Sequence, residues 1–201
     1  MKNLTKIFMA VAALFAVSCT TDVTEDLGVQ IGGEGQTVIS LSLEESRTQL
    51  GEKADNLYPL YWSEGDKISV NGVESGEAQI SAENAANASF AVAASAPYCI
   101  AYPAANAGQV LFADKQVHSG NTTFASGVST MYAYSESGLG VQLNHLTGVL
   151  KIGVTGSAKI VLAQISNANR KPIAGAFDFD FEKGEATATA SSKELVENSF
   201  G

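Results

Sequence analysis

Cysteine is almost missing from this chain of 201 residues: only Cys19 and Cys99 occur. Two cysteines, one of them at the end of an N-terminal apolar run, cannot build a disulfide framework, so a hydrophobic core must hold the fold. Cys99 sits inside the apolar run Tyr98 to Tyr102 with no cation beside it to stabilise a thiolate, which reads as a buried small hydrophobe. Histidine is limited to His118 and His145, and neither stands at metal-ligand spacing from Cys, Asp or the other His, so no metal is expected. His145, between Leu143 and Leu146, reads as a packed or turn-capping side chain. The chain has no EF-type loop, nucleophile elbow, phosphate-binding Gly loop or dinucleotide fingerprint, and so gives no reason to expect catalytic residues or a cofactor. Positive charge is scarce as well. Twelve Lys and Arg face 21 Asp and Glu, a net charge of −9, which argues against nucleic acid or an anionic membrane surface as partner.

Long apolar runs are also lacking, apart from Ile7 to Val17. That run is too short to cross a hydrocarbon core of about 30 Å, so a secretory signal is favoured over a membrane helix. Lys2 and Lys6 form its positive flank, and Ala16-Val17-Ser18-Cys19 follows it. Small residues immediately before a cysteine resemble a bacterial lipobox. The resemblance implies a signal peptide over 1–18 and Cys19 as the lipidated first residue of the mature protein, with Ala16 and Val17 departing from the commonest form. A triacylated, palmitate-type cysteine would attach the chain stably to a membrane. Removal of the two signal lysines takes the formal charge from −9 to −11. Residues 19–36, with Asp22, Glu25 and Asp26 followed by Gly28, Gly32, Gly33 and Gly35, read as an acidic, Gly-rich tether.

What is present from Thr37 onward is period-two alternation. Ile39, Leu41 and Leu43 alternate with Ser40 and Ser42. Short strands are expected at 78–82, 89–93, 98–102, 131–134, 141–144, 148–155, 160–165 and 173–181, separated by Gly, Asn and Ser clusters. Phe177, Phe179 and Phe181 share one face, opposite Asp178, Asp180 and Glu182. The Ala-rich stretch 81–96 is a poor helix candidate, because Phe90 and Val92 are spaced by two and Asn84, Asn87 and Ser89 disfavour a helix interior. About a dozen short strands without a helical repeat indicate one all-β domain over 37–201, a sandwich or flattened barrel.

The organising stretch is Leu57 to Gly72, which reads as a structural hairpin. Leu60 and Trp62 share a parity on one limb, Ile68 and Val70 on the other, and Ser63-Glu64-Gly65-Asp66 supplies the turn. Asn71-Gly72 offers a second turn of the hairpin-closing type. The only tryptophan, Trp62, would fasten the sheet to the core.

Four features in order resemble the fimbrillin family of type V pilus lipoproteins. They are the lipobox at Cys19, a first strand ending in Arg47-Thr48, the hairpin Trp62 to Val70, and Tyr98 to Pro103 followed by Leu143 to Ile152. The run Ile165 to Phe177, with Pro172-Ile173-Ala174-Gly175, is also similar. The resemblance implies a transthyretin-like antiparallel β-sandwich of Greek-key type, anchored by lipid at the outer-membrane surface, and a role in fimbrial assembly or cell adhesion. It implies that an arginine-specific protease cuts after Arg47, within the polar run Glu44 to Gln49, and opens a groove that another pilin subunit's strand fills by β-augmentation. The family's usual second domain, which supplies the donor strand, is not represented before Gly201, which follows the polar stretch Glu185 to Asn198. The sequence is then either a fragment or a shortened paralogue, and a shortened protein would accept a strand without donating one in the family's way. The alternative is a monomeric surface lipoprotein that binds glycans through exposed aromatics, with Tyr58, Tyr61, Trp62, Tyr132 and Tyr134 as candidates.

Overall fold

The computed structural model describes residues 35–43, 60–118, 128–148 and 155–200. Among them there is no helix. The strands are β1 (Thr37–Ser42), β2 (Ser69–Val70), β3 (Val73–Glu74), β4 (Gln79–Ile80), β5 (Asn87–Val92), β6 (Tyr98–Tyr102), β7 (Gln109–Phe112) and β8 (Lys115–His118). They continue with β9 (Met131–Ser135), β10 (Val141–Gln142), β11 (Asn144–His145), β12 (Leu162–Ser166), β13 (Ala174–Asp180), β14 (Glu185–Lys193) and β15 (Leu195–Phe200). The interior of the expected strand at 148–155, and Cys19, Arg47 and Tyr58, lie outside the described residues.

The strands form four sheets, ordered β10-β1-β5-β4, β11-β9-β6-β2-β3, β12-β15-β8 and β14-β13-β7. Side chains from the first two sheets meet in one apolar cluster. It contains Ile39 and Leu41 of β1, Phe90 of β5, Val70 of β2, Ile100 and Tyr102 of β6 and Met131 of β9. A second cluster joins Ala101 of β6 to Val110 of β7 and to Phe177, Phe179 and Phe181, with Cys99 and Tyr132 packed against it. Period-two alternation on β6 therefore sends Ile100 to one cluster and Ala101 to the other, and the five-stranded sheet carries apolar contacts on both faces.

The Phe/Asp alternation is realised as read: the three phenylalanines are buried, while Asp178 and Glu182 are exposed. Edge-to-face ring contacts at 4.8 Å between Tyr132 and Phe179, and at 4.9 Å between Phe112 and Phe177, knit that cluster.

The expectation of purely antiparallel pairing needs correction. The sheets are not purely antiparallel, because β1 runs parallel to β10 and β15 parallel to β8. Each of these neighbours is brought from far along the chain, so no hairpin dictates its direction. The polar stretch 185–198 is also strand, β14 and much of β15. Its Ala, Thr and Ser side chains are largely exposed on β14, so the stretch lacks the apolar alternation by which a half-buried strand is read.

Candidate functional site

Two places carry the sequence's candidate residues: the turn around Asp66 and the strand β1 with its neighbours. At the first, the expected turn is present. Asp66 donates its backbone N–H to Ser63 O at 3.1 Å and accepts the Ser63 N–H on Oδ2 at 2.8 Å, with Gly65 at φ +81° between them. The expected pairing across this turn is absent. Residues 60–62 belong to no strand, and the Trp62 main-chain N–H donates to Ala85 O at 2.9 Å instead. The true hairpin lies one turn later, where β2 pairs with β3 across Asn71 (φ 52°) and Gly72 (φ 80°). Two consecutive positive φ values give the primed turn whose twist matches a two-residue hairpin.

The turn has a structural purpose that its residues explain. Asp66 is only 4% exposed, a costly position for a carboxyl without partners. It is supplied with them: the Tyr102 hydroxyl donates to Oδ1 at 2.9 Å and the Ser63 N–H to Oδ2, while Ala78 N–H donates to the Asp66 main-chain carbonyl at 2.8 Å. Trp62 packs edge-on against Phe90 at 4.9 Å and against Tyr102 at 5.4 Å, so one residue links the turn to β5 and to β6. Ile68 and Val70 are fully buried in the same cluster. Gly65 is exposed and fits the turn only by its left-handed backbone.

At the second place, β1 is an interior strand. Six registered residue pairs tie it antiparallel to β5, and two tie it parallel to β10. Ile39, Leu41 and Leu43 point into the first cluster at 0%, 2% and 1% exposure. Sequence alternation identified those three. It did not identify Ser40 and Ser89, both buried, which face each other in register with their hydroxyls 3.3 Å apart. A serine that alternates with apolar residues, as Ser40 does between Ile39 and Leu41, reads as facing solvent, and nothing local signals its burial.

The remaining candidates are dispersed. Cys99 is half-buried rather than fully buried, and burial with the nearby Glu182 charge pushes its thiol pKa upward, away from a nucleophile. His145 is half-buried on β11 with Nδ1 3.3 Å from Ser129 Oγ. Of the aromatics considered for a sugar platform, Trp62 is closed off in the core and Tyr132 packs on Phe179, while Tyr61 and Tyr134 are more than a third exposed. An open cleft of about 450 Å³ is lined by Gly108, Asp178, Phe179, Asp180, Glu185 and Thr187. Two of its carboxylates are already engaged, Asp178 by the Gln109 amide and Asp180 by Lys183. No group of three or more His, Cys, Asp and Glu residues poised to hold a metal occurs among the described residues.

The chain matches no family model, no curated protein sequence and no solved structure.

Proposed function

We propose that this chain is a cell-surface lipoprotein of the fimbrillin kind, a structural or accessory subunit of type V fimbriae that works by exchanging its first strand. In this reading the domain is a transthyretin-like sandwich, Cys19 carries the lipid anchor and Arg47 is the processing point. The observation that carries the reading is the position of β1. It is the first described strand and lies inside its sheet, with Ile39 and Leu41, and Leu43 just beyond its end, in the core. Burial of each is worth roughly 1.5–3 kcal/mol. Their joint loss is comparable with the whole net stability of a typical domain, about 5–15 kcal/mol. A chain cut just after this strand would hold a groove between β5 and β10 with unpaired main-chain groups along it. Such a groove favours a replacement strand. The burial of Trp62 and the packing of half-buried Tyr132 on Phe179 support this reading over a sugar-binding platform.

Digestion of the folded protein with an arginine-specific protease tests the exchange, with masses measured on the products. The expected result is a primary cut after Arg47, release of the segment containing residues 37–43, and uptake of added strand peptide. A first cut elsewhere, or a cut chain that keeps 37–43 bound and takes up no peptide, counts against the mechanism.

The anchor is tested separately. Cys19→Ala is expected to abolish acyl-lipid labelling and release the protein from the membrane fraction, because a short apolar signal alone does not hold a mature chain in a bilayer. Labelling that persists in the variant sinks the assignment.

A further inference from the structure

We infer that the slot occupied by β1 selects its strand at the Ser40 register. An entering strand must carry a small side chain there, hydroxyl-bearing by preference, between two bulky apolar residues. The inference rests on the strand-exchange reading and names the partner that reading requires: an extended polypeptide segment with the pattern apolar, small or hydroxyl, apolar, any, apolar.

The slot is closed on both faces at this one register. Ile39 and Leu41 fill the first cluster, while Ser40, on the reverse face, is only 5% exposed and meets Ser89, 1% exposed, across the β1–β5 ladder. The flanking positions on that reverse face, Val38 and Ser42, are only half-buried. On the β10 side the loop before that strand closes over β1. Ser40 N–H donates to Gly138 O at 3.1 Å. Gly138 has φ +70°, and a Cβ there would lie 2.7 Å from Ile39 Cδ1 and 2.9 Å from Tyr98 Cε2. The main chain of the loop therefore holds the strand at the same residue whose side chain faces Ser89. A leucine in the Ser40 register would have to displace Ser89 and leave its buried hydroxyl without this partner. Both overpacking and a lost hydrogen bond then act against it.

Competition among peptides of sequence 37–43 for the protein cut after Arg47 tests this. The Ser40→Ala peptide keeps the small volume but leaves the buried Ser89 hydroxyl without this partner, and is expected to bind more weakly than the native sequence but more tightly than Ser40→Leu. The Ser40→Leu peptide is expected to bind roughly tenfold or more weakly. The Ser42→Leu peptide, with the same added bulk at a half-buried register, is expected within about threefold of native. A Ser89→Ala host should narrow the gap at position 40. Equal competition by the Ser40→Leu and native peptides overturns the inference. If the native peptide itself does not enter, the strand-exchange reading fails, and the slot is read in the uncut chain. There, a Ser40→Leu protein unfolding at clearly lower urea than a Ser42→Leu protein upholds the selective register, and equal midpoints overturn it.

Discussion

Trp62→Ala is expected to destabilise the folded protein by about 3–5 kcal/mol, the range for a large aromatic truncated within a core. Trp62 is 3% exposed, and its ring makes edge-to-face contacts with Phe90 of β5 and Tyr102 of β6. Its removal opens a cavity at the junction of the four- and five-stranded sheets, and the Asp66 turn loses the contact that seats it against them. The indole Nε1 has no hydrogen-bond partner among the described residues, so ring volume rather than polar pairing carries the effect. Trp62→Phe keeps one aromatic ring but loses part of the indole volume, and should therefore cost less than Trp62→Ala. Urea titration followed by far-UV circular dichroism compares the three proteins without relying on tryptophan fluorescence. A midpoint for Trp62→Ala equal to that of the native protein refutes the fastening role and reopens the sugar-platform reading.

Gly72→Ala is expected to cost about 2–5 kcal/mol, combining a left-handed backbone penalty with overpacking. Gly72 has φ +80°, and a Cβ there would meet Ala107, with the Ala107 Cα 2.6 Å and N 2.7 Å away. Those are main-chain atoms of a neighbouring loop, which cannot step aside as the end of a flexible side chain can. Gly65→Ala is the matched control. Gly65 has nearly the same backbone, φ +81°, yet a Cβ there has nothing within 4 Å. It should lose only the conformational part, about 1–2 kcal/mol. The difference between the two midpoints in urea isolates the clash with Ala107. If the two variants unfold together, close approach of the 107 loop is not what requires glycine after Asn71.

Much of this architecture is legible in the residues because period two assigns faces without knowledge of partners. Ile39, Leu41 and Leu43 fall on one face and are buried together, as are Phe177, Phe179 and Phe181. Asn71-Gly72 reads as a hairpin turn because both positions accept positive φ, and both have it. The Ser63–Asp66 turn is equally local, closed by a carboxyl reaching back three residues. The two turns do not join into one hairpin. Alternation suggests Leu60 and Trp62 as the partner strand of Ile68 and Val70, whereas Trp62 bonds to Ala85 and Val70 pairs with Val73 and Ile100. A turn reverses the chain, but it does not oblige the two limbs to pair when another segment offers main-chain partners.

The sequence by itself determined an all-β chain, the side chains that share each face, the turns that glycine and asparagine permit, and a core that does without disulfides. Each of these follows from local sterics, or from the alternation of polar and apolar residues over a few positions. The tertiary structure alone decided that β1 lies inside a sheet beside a parallel β10, that β6 feeds two apolar clusters, and that Ser40 and Ser89 meet in burial. It also decided that Asp66 is sealed under the Tyr102 hydroxyl, and that the polar stretch from Glu185 is strand. The physical reason is one of range. Alternation says which residues face the same way, but a strand's neighbour is chosen by main-chain pairing and burial summed over segments tens of residues apart, and a serine becomes a core residue only when another strand brings its partner.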